Sequence, residues 1–120
     1  GWDFSESSGM RVIPMDEVSG SGIRAAGEEA LRVVGGERTY LSIDIDSLAP
    51  ACAPGTGTPE VGGLTPNEAQ ELIRLFRGVQ LVGADVVEVA PPFDPSGITA
   101  LAAATMMYEL LCILTEAVIR

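Results

Sequence analysis

Apolar positions along this chain follow two rhythms. Ile23, Ala26, Ala30, Val33 and Val34 fall near the helical period and predict a helix from Ile23 to Val34. Glu28 stands four residues before Arg32, an order that supports a helix face, and Gly35 and Gly36 stop the helix. Thr39 to Ile45 (TYLSIDI) is short, apolar and β-branched, and predicts a strand. Gln80 to Ala90 (QLVGADVVEVA) is a second, valine-rich strand. Between them, Thr65 as N-cap, Pro66 at the first helical position and Glu68 two further on predict a helix running to about Arg77. Its face is Ala69, Leu72, Ile73 and Phe76, and Gly78 ends it. Asp94 or Ser96 is placed to cap a last helix, Ile98 to about Ile119, which is apolar almost all round and is expected to be buried on most sides. Met106, Met107 and Tyr108 read as core packing. The upstream pattern is weaker. Gly1 to Gly9 is polar and turn-like, Arg11 to Pro14 suggests a short strand, and Asp16 to Gly20 reads as a turn.

Strand and helix thus alternate. That order predicts one α/β domain over residues 1–120, with a parallel sheet between helical layers in an α-β-α arrangement. In such sheets, sites form beyond the carboxyl ends of strands. Asp44, Asp46 and Glu88 fall at or near such ends.

Composition narrows the functions available. The chain is 47% hydrophobic and its mean hydropathy is +0.30, apolar for 120 residues. Some of its surface is therefore expected to pack on something else, and a start at Gly1 rather than Met fits a segment of a longer protein. Seventeen acidic residues against seven basic ones give a net charge of −10. With no basic patch, nucleic acid is excluded as a partner, and a cationic substrate or a metal suits the sign. Cys52 and Cys112 are isolated and read as free thiols in a reducing, cytoplasmic setting. The Ile98–Ile119 run is long enough to raise a membrane span, but Glu109 and Glu116 lie inside it, so a buried helix and no membrane is expected. There is no histidine, which excludes Ser-His-Asp and Cys-His chemistry and any imidazole metal ligand within these residues.

Asp44 and Asp46 are separated by one isoleucine. In an extended chain their carboxylates leave on one side while Ile43 and Ile45 point to the other. Like charges held that close call for a cation between them, and a hard divalent ion with oxygen ligands is the natural candidate. The alternative is a pair of acids capping a strand end on backbone amides. Glu88, set among valines, either marks an exposed edge or faces a site in need of a cationic partner. The loop from Asp46 to Leu64 is rich in Pro and Gly and long enough to be functional. Its Thr56 and Thr58 read as loop architecture; GTGT lacks the lysine and spacing of a phosphate loop.

The stretch SIDIDSLAPACAPGTGTPEVGGLT resembles the ureohydrolase signature, S-x-D-x-D-x-x-D-P-x-x-A-P-G-T-G-T-P-x-x-G-G. VGADVVEVAPPFDPSGITALAAATMMYELL is similar to the C-terminal segment of the agmatinase branch. Together they cover about Tyr40 to Leu114, two loops and a helix in matching order. The resemblance implies a C-terminal part of a ureohydrolase domain. It implies hydrolysis of a guanidino compound, agmatine first, to urea and an amine at a site of two manganese ions, and a role in polyamine metabolism. Asp44 then matches the aspartate bridging the metals, Asp46 a ligand of one, Glu88 the acid holding the guanidinium, and Thr58 a threonine lining that pocket. The implied step is attack on the guanidinium carbon by metal-activated water. A trimer or hexamer is the implied assembly. Two departures stand out. Ala49 replaces the third signature aspartate, which removes a hydrogen bond behind the ligands. The histidine-bearing motifs that complete the metal site are absent from these residues, so the chain is expected to be inactive alone. A truncated, non-catalytic paralogue that binds a full-length ureohydrolase is the alternative, and a single structural Ca or Mg ion on Asp44 and Asp46 a third reading.

Overall fold

The computed structural model describes residues 2–119. In chain order the elements are α1 (Trp2–Ser7), α2 (Met15–Ser21), α3 (Ile23–Val34), β1 (Thr39–Asp44), α4 (Pro66–Leu75), β2 (Leu81–Val87) and α5 (Ile98–Ile119). Short 3-10 turns at Ile45–Ser47 and Pro91–Phe93 follow the two strands. β1 and β2 pair in parallel, Thr39 with Leu81 and then Tyr40 with Gly83 through Asp44 with Val87, so that Val82 is an extra residue in β2. The carboxyl ends of both strands therefore lie side by side.

Alternation along the strands sorts the two faces. Leu41, Ile43, Ala84 and Val86 pack against a core of Ile45, Leu48, Ile73, Phe76, Met106, Leu110 and Ile113. These come from the turn after β1 and from α4 and α5, with Ala30, Leu31 and Val34 of α3 packed alongside. Of an α-β-α arrangement, the described residues thus supply the sheet and the helical layer on one face. Tyr40 (59% exposed) and Ser42 stand on the other, open face. Ion pairs tie the helices laterally: Arg24 to Glu71 at 2.7 Å, Arg74 Nε to Glu109 at 3.0 Å and Arg77 to Glu116 at 3.0 Å. Glu109 and Glu116, the acids that argue against a membrane span, are thus paired with Arg74 of α4 and with Arg77 just beyond it. The reciprocal capping box fixes the start of α4: Thr65 N donates to Glu68 Oε2 (2.8 Å) and Glu68 N to Thr65 Oγ1 (3.2 Å).

Several expectations are corrected. Arg11–Pro14 forms no strand; among the described residues it has no ladder partner, and Arg11 instead pairs with Glu17 and Glu29. Asp16–Gly20 lies inside α2 rather than in a turn. Asp16 and Glu17 complement that helix's first turn, and the Ser19 and Ser21 hydroxyls bond back to the carbonyls of Met15 and Glu17 at 2.8 Å each. The Gly1–Gly9 stretch holds α1, its first residue Gly1 lying outside the described residues. Arg32 bonds Glu29, three residues before it, rather than Glu28. Finally, the apolarity of α5 is not matched by burial all round. Ala103, Met106, Leu110 and Ile113 are buried, while Leu101 (69%), Tyr108 (67%) and Leu111 (53%) are exposed. Tyr108, two residues from Met106, turns away from the core that Met106 fills. α5 is long and apolar enough to cross a membrane by length and composition, yet one side of it is committed to this core.

Candidate functional site

The site is built where β1 and β2 end together. β1 stops at Asp44, and the chain turns at once through Ile45–Ser47. Ile45 is fully buried and anchors the turn in the core. Asp46 N donates to Asp44 Oδ1 (3.1 Å), and the Ser47 hydroxyl donates to the Asp44 carbonyl (2.6 Å). The two aspartates are therefore brought together by a 3-10 turn rather than by the pleat of a longer strand. Both the capping role and a close carboxylate pair are present.

The loop that follows is compact because its ends meet. Leu64 N donates to Ser47 O and Ala49 N to Leu64 O, each at 2.8 Å. Pinned in this way, the loop returns Thr58 to the strand end, where its hydroxyl donates to Asp46 Oδ2 at 2.6 Å. Thr58 is thus more than loop architecture: it orients one of the two carboxylates. Ala49, where the signature has aspartate, takes part only through its backbone, donating to Leu64 and accepting from Cys52 and Ala53.

Glu88 is the first residue beyond β2, one step past the Asp44–Val87 pair. It is exposed, and its φ of 65° is the sole positive value among described non-glycine residues. An L-residue held in that region costs about 1–3 kcal/mol, and such strain gathers at functional sites. The strand predicted over Gln80–Ala90 stops at Val87, where the left-handed turn at Glu88 ends the pleat.

Burial raises the Asp44 carboxyl above its ordinary range. The Asp46 amide pulls it back, while the negative charges of Asp46 and Glu88 push it further up. Asp44 thus feels two neighbouring carboxylates, and among the described residues no cationic side chain forms an ion pair with any of the three. Hard oxygen donors under mutual repulsion suit a hard divalent cation, and Asp44 and Asp46 are the residues that could hold one. They are part of a donor set: among the described residues no cluster of three His, Cys, Asp or Glu could hold a metal. A cavity of about 600 Å³ runs from Asp44, Asp46 and Glu60 between α2, α3, α4 and β1. Its walls are apolar, with Ile13, Leu41 and Phe76 among them, and neither Glu88 nor Thr58 lines it. Asp44 and Asp46 thus belong both to the carboxylate cluster and to the lining of this groove.

A sequence model of the arginase family matches residues 1–112. The chain belongs to the arginase family. It is 58% identical over 117 residues to a guanidinopropionase from Pseudomonas aeruginosa, covering 98% of this chain and 37% of that protein. Among solved structures, it superposes on proclavaminate amidino hydrolase from Streptomyces clavuligerus with a TM-score of 0.93 and 38% identity, over 98% of this chain and 39% of that one. A hypothetical agmatinase from Burkholderia thailandensis gives a TM-score of 0.84 and 50% identity, over 88% of this chain and 34% of that one. The chain thus spans little more than a third of the length of these arginase-family relatives, and its fold is that of the matching portion of theirs.

Two features of this segment have no local signal in the sequence. The left-handed backbone at Glu88 had no signal, since glutamate is not a residue that announces positive φ. Of the two cap candidates, Asp94 and Ser96, it is Asp94 whose Oδ2 accepts from Thr99 N, at 2.7 Å. That Thr99 also reaches the Gly55 amide, 44 residues away, could not be read from local spacing.

Proposed function

We propose that this segment carries one side of the active site of a guanidino-compound hydrolase, which cleaves a linear guanidino substrate to urea and an amine with two manganese ions. The observation that carries the reading is the meeting of Asp44, Asp46, Thr58 and Glu88 at adjoining strand ends, in a chain of the arginase family. Asp44 and Asp46 are assigned as metal ligands. When bound, the metal supplies Lewis-acid activation of water and of the substrate. Thr58 holds Asp46 in place through its hydroxyl. Glu88 accepts charge-assisted hydrogen bonds from the planar guanidinium and orients it. The acidic balance of the chain favours a cationic ligand. Agmatine is the proposed substrate, within a homo-oligomeric, cytoplasmic enzyme. The 58% identity to a guanidinopropionase supports a second reading, in which the tail beyond the guanidinium ends in a carboxylate.

A segment exchange tests this. The corresponding part of the Pseudomonas aeruginosa guanidinopropionase is replaced by these 120 residues, and urea release is measured on agmatine, 3-guanidinopropionate and 4-guanidinobutyrate. Manganese-dependent urea release from at least one is expected, with Glu88→Gln raising KM about 10- to 100-fold, the value of a charge-assisted hydrogen bond. A folded, manganese-loaded chimera that releases no urea from any of the three overturns the proposal and leaves a non-catalytic module.

A further inference from the structure

The described core contains three buried polar side chains, Thr56, Asp94 and Thr99. Two of them meet at the start of α5. Asp94 Oδ1 accepts from the Ser96 hydroxyl and Asp94 Oδ2 from Thr99 N (2.7 Å). These donors, Ser96 foremost, hold the Asp94 carboxyl down at about 2, so it is ionised at neutral pH. Thr99 is 1% exposed, and its Oγ1 accepts from Gly55 N at 2.7 Å. The Gly55 carbonyl accepts in turn from Ala90 N, also at 2.7 Å. Both polar groups of one residue are therefore committed, one to α5 and one to the loop after β2. Gly55 lies three residues before Thr58, and Ala90 lies two after Glu88. No side chain fits at the crossing: a Cβ on Gly55 would stand 2.7 Å from Asp94 Cβ and 2.9 Å from Thr99 Oγ1.

We infer that Thr99, seated by Asp94, is a positioning residue: by clamping Gly55 it fixes the loop that presents Thr58 to Asp46 against the loop that presents Glu88. This rests on the functional reading above, and it sets the spacing between the metal-side carboxylates and the guanidinium-binding acid. Capping of α5 does not account for the arrangement. The cap uses the Thr99 amide, whereas the clamp uses its hydroxyl, and a buried amide at Gly55 would otherwise go unpaired.

The test is amide hydrogen exchange on the 15N-labelled 120-residue chain. In the wild type, the Gly55 and Ala90 amides exchange slowly although both lie in loops. Thr99→Val keeps the shape and removes the acceptor. It speeds exchange at both amides about tenfold, the upper worth of one buried hydrogen bond, and shifts the amide resonances of Asp46 and Thr58. Thr99→Ser restores the wild-type pattern. Faster exchange confined to the first turn of α5, with Ala90, Thr58 and Asp46 unchanged, overturns the clamp. If Thr99→Val does not fold, the wild type decides: fast exchange at Gly55 or Ala90 overturns the proposal, and slow exchange at both supports it. Urea release from the chimera is scored separately, so an inactive chimera with an intact clamp, or an active one without it, tells the two readings apart.

Discussion

Replacing Asp44 by Asn removes one charge from the carboxylate cluster while leaving the group that caps the turn. The amide oxygen of Asn can still accept from Asp46 N, as Asp44 Oδ1 does at 3.1 Å. What disappears is repulsion from Asp46 and Glu88, together with the cost of burying a charge. Two unit charges about 4 Å apart repel by about 4 kcal/mol at an effective dielectric of 20, and by about 1 kcal/mol in water. Asp44 and Asp46 are both partly exposed, so the lower figure applies, and Asp44→Asn is expected to stabilise the metal-free chain by about 1 kcal/mol at pH 7. The sign reverses the usual acidic case. The folded-state pKa of Asp44 lies above its ordinary 3.8, so the native state binds the proton more tightly than the unfolded one. The penalty is absent below the ordinary value, grows as pH rises through the raised one, and is complete above it. Urea denaturation at pH 7 and pH 3 measures this: the midpoint of the variant should exceed the wild type at pH 7 and coincide with it at pH 3. A variant less stable at pH 7, or shifted equally at both pH values, would rule out this repulsion and leave Asp44 as a cap alone.

Thr58→Val removes the hydroxyl that holds Asp46 Oδ2. In the guanidinopropionase chimera, manganese affinity should fall about tenfold, the lower end for loss of a group behind a metal ligand, as read by competition with a fluorescent chelator. Gly63→Ala would place a methyl 2.7 Å from backbone atoms of Ser47, Leu48 and Ala49. Backbone cannot swing aside, so a loss of about 1–3 kcal/mol in denaturant unfolding is expected. Met106→Ala empties a fully buried position and should cost about 2–5 kcal/mol, whereas Leu101→Gln on the exposed side of the same helix should change stability by no more than about 0.5 kcal/mol. Paired thermal melts of the two variants check that α5 is buried on one side only.

The sequence revealed those elements whose signals are local. The capping box at Thr65, the helical period from Ile23 to Val34 and the β-branched run before Asp44 each fix their own backbone, and α4, α3 and β1 lie where they predict. The closeness of the two aspartates was legible for the same reason, since both sit within three residues. The weaker elements were not. α2 carries Gly20 and two serines in seven residues, and those lower helix propensity enough to mimic a turn. Arg11–Pro14 has the composition of a strand, but a strand exists only with a partner. The exposed stripe of α5 is invisible to pattern, because an all-apolar helix gives no hint of which side meets the core. The Thr58–Asp46 bond and the Thr99–Gly55 bond join residues 12 and 44 positions apart, and only the fold places them in contact.

The proposed function requires Asp44 and Asp46 to hold metal beside a guanidinium-binding Glu88. Counting manganese in the purified guanidinopropionase chimera by inductively coupled plasma mass spectrometry tests it most directly. Two ions per chain are expected, with one or both lost from Asp44→Asn and Asp46→Asn and both kept in Glu88→Gln. Two ions retained in a folded chimera lacking both aspartates would contradict it.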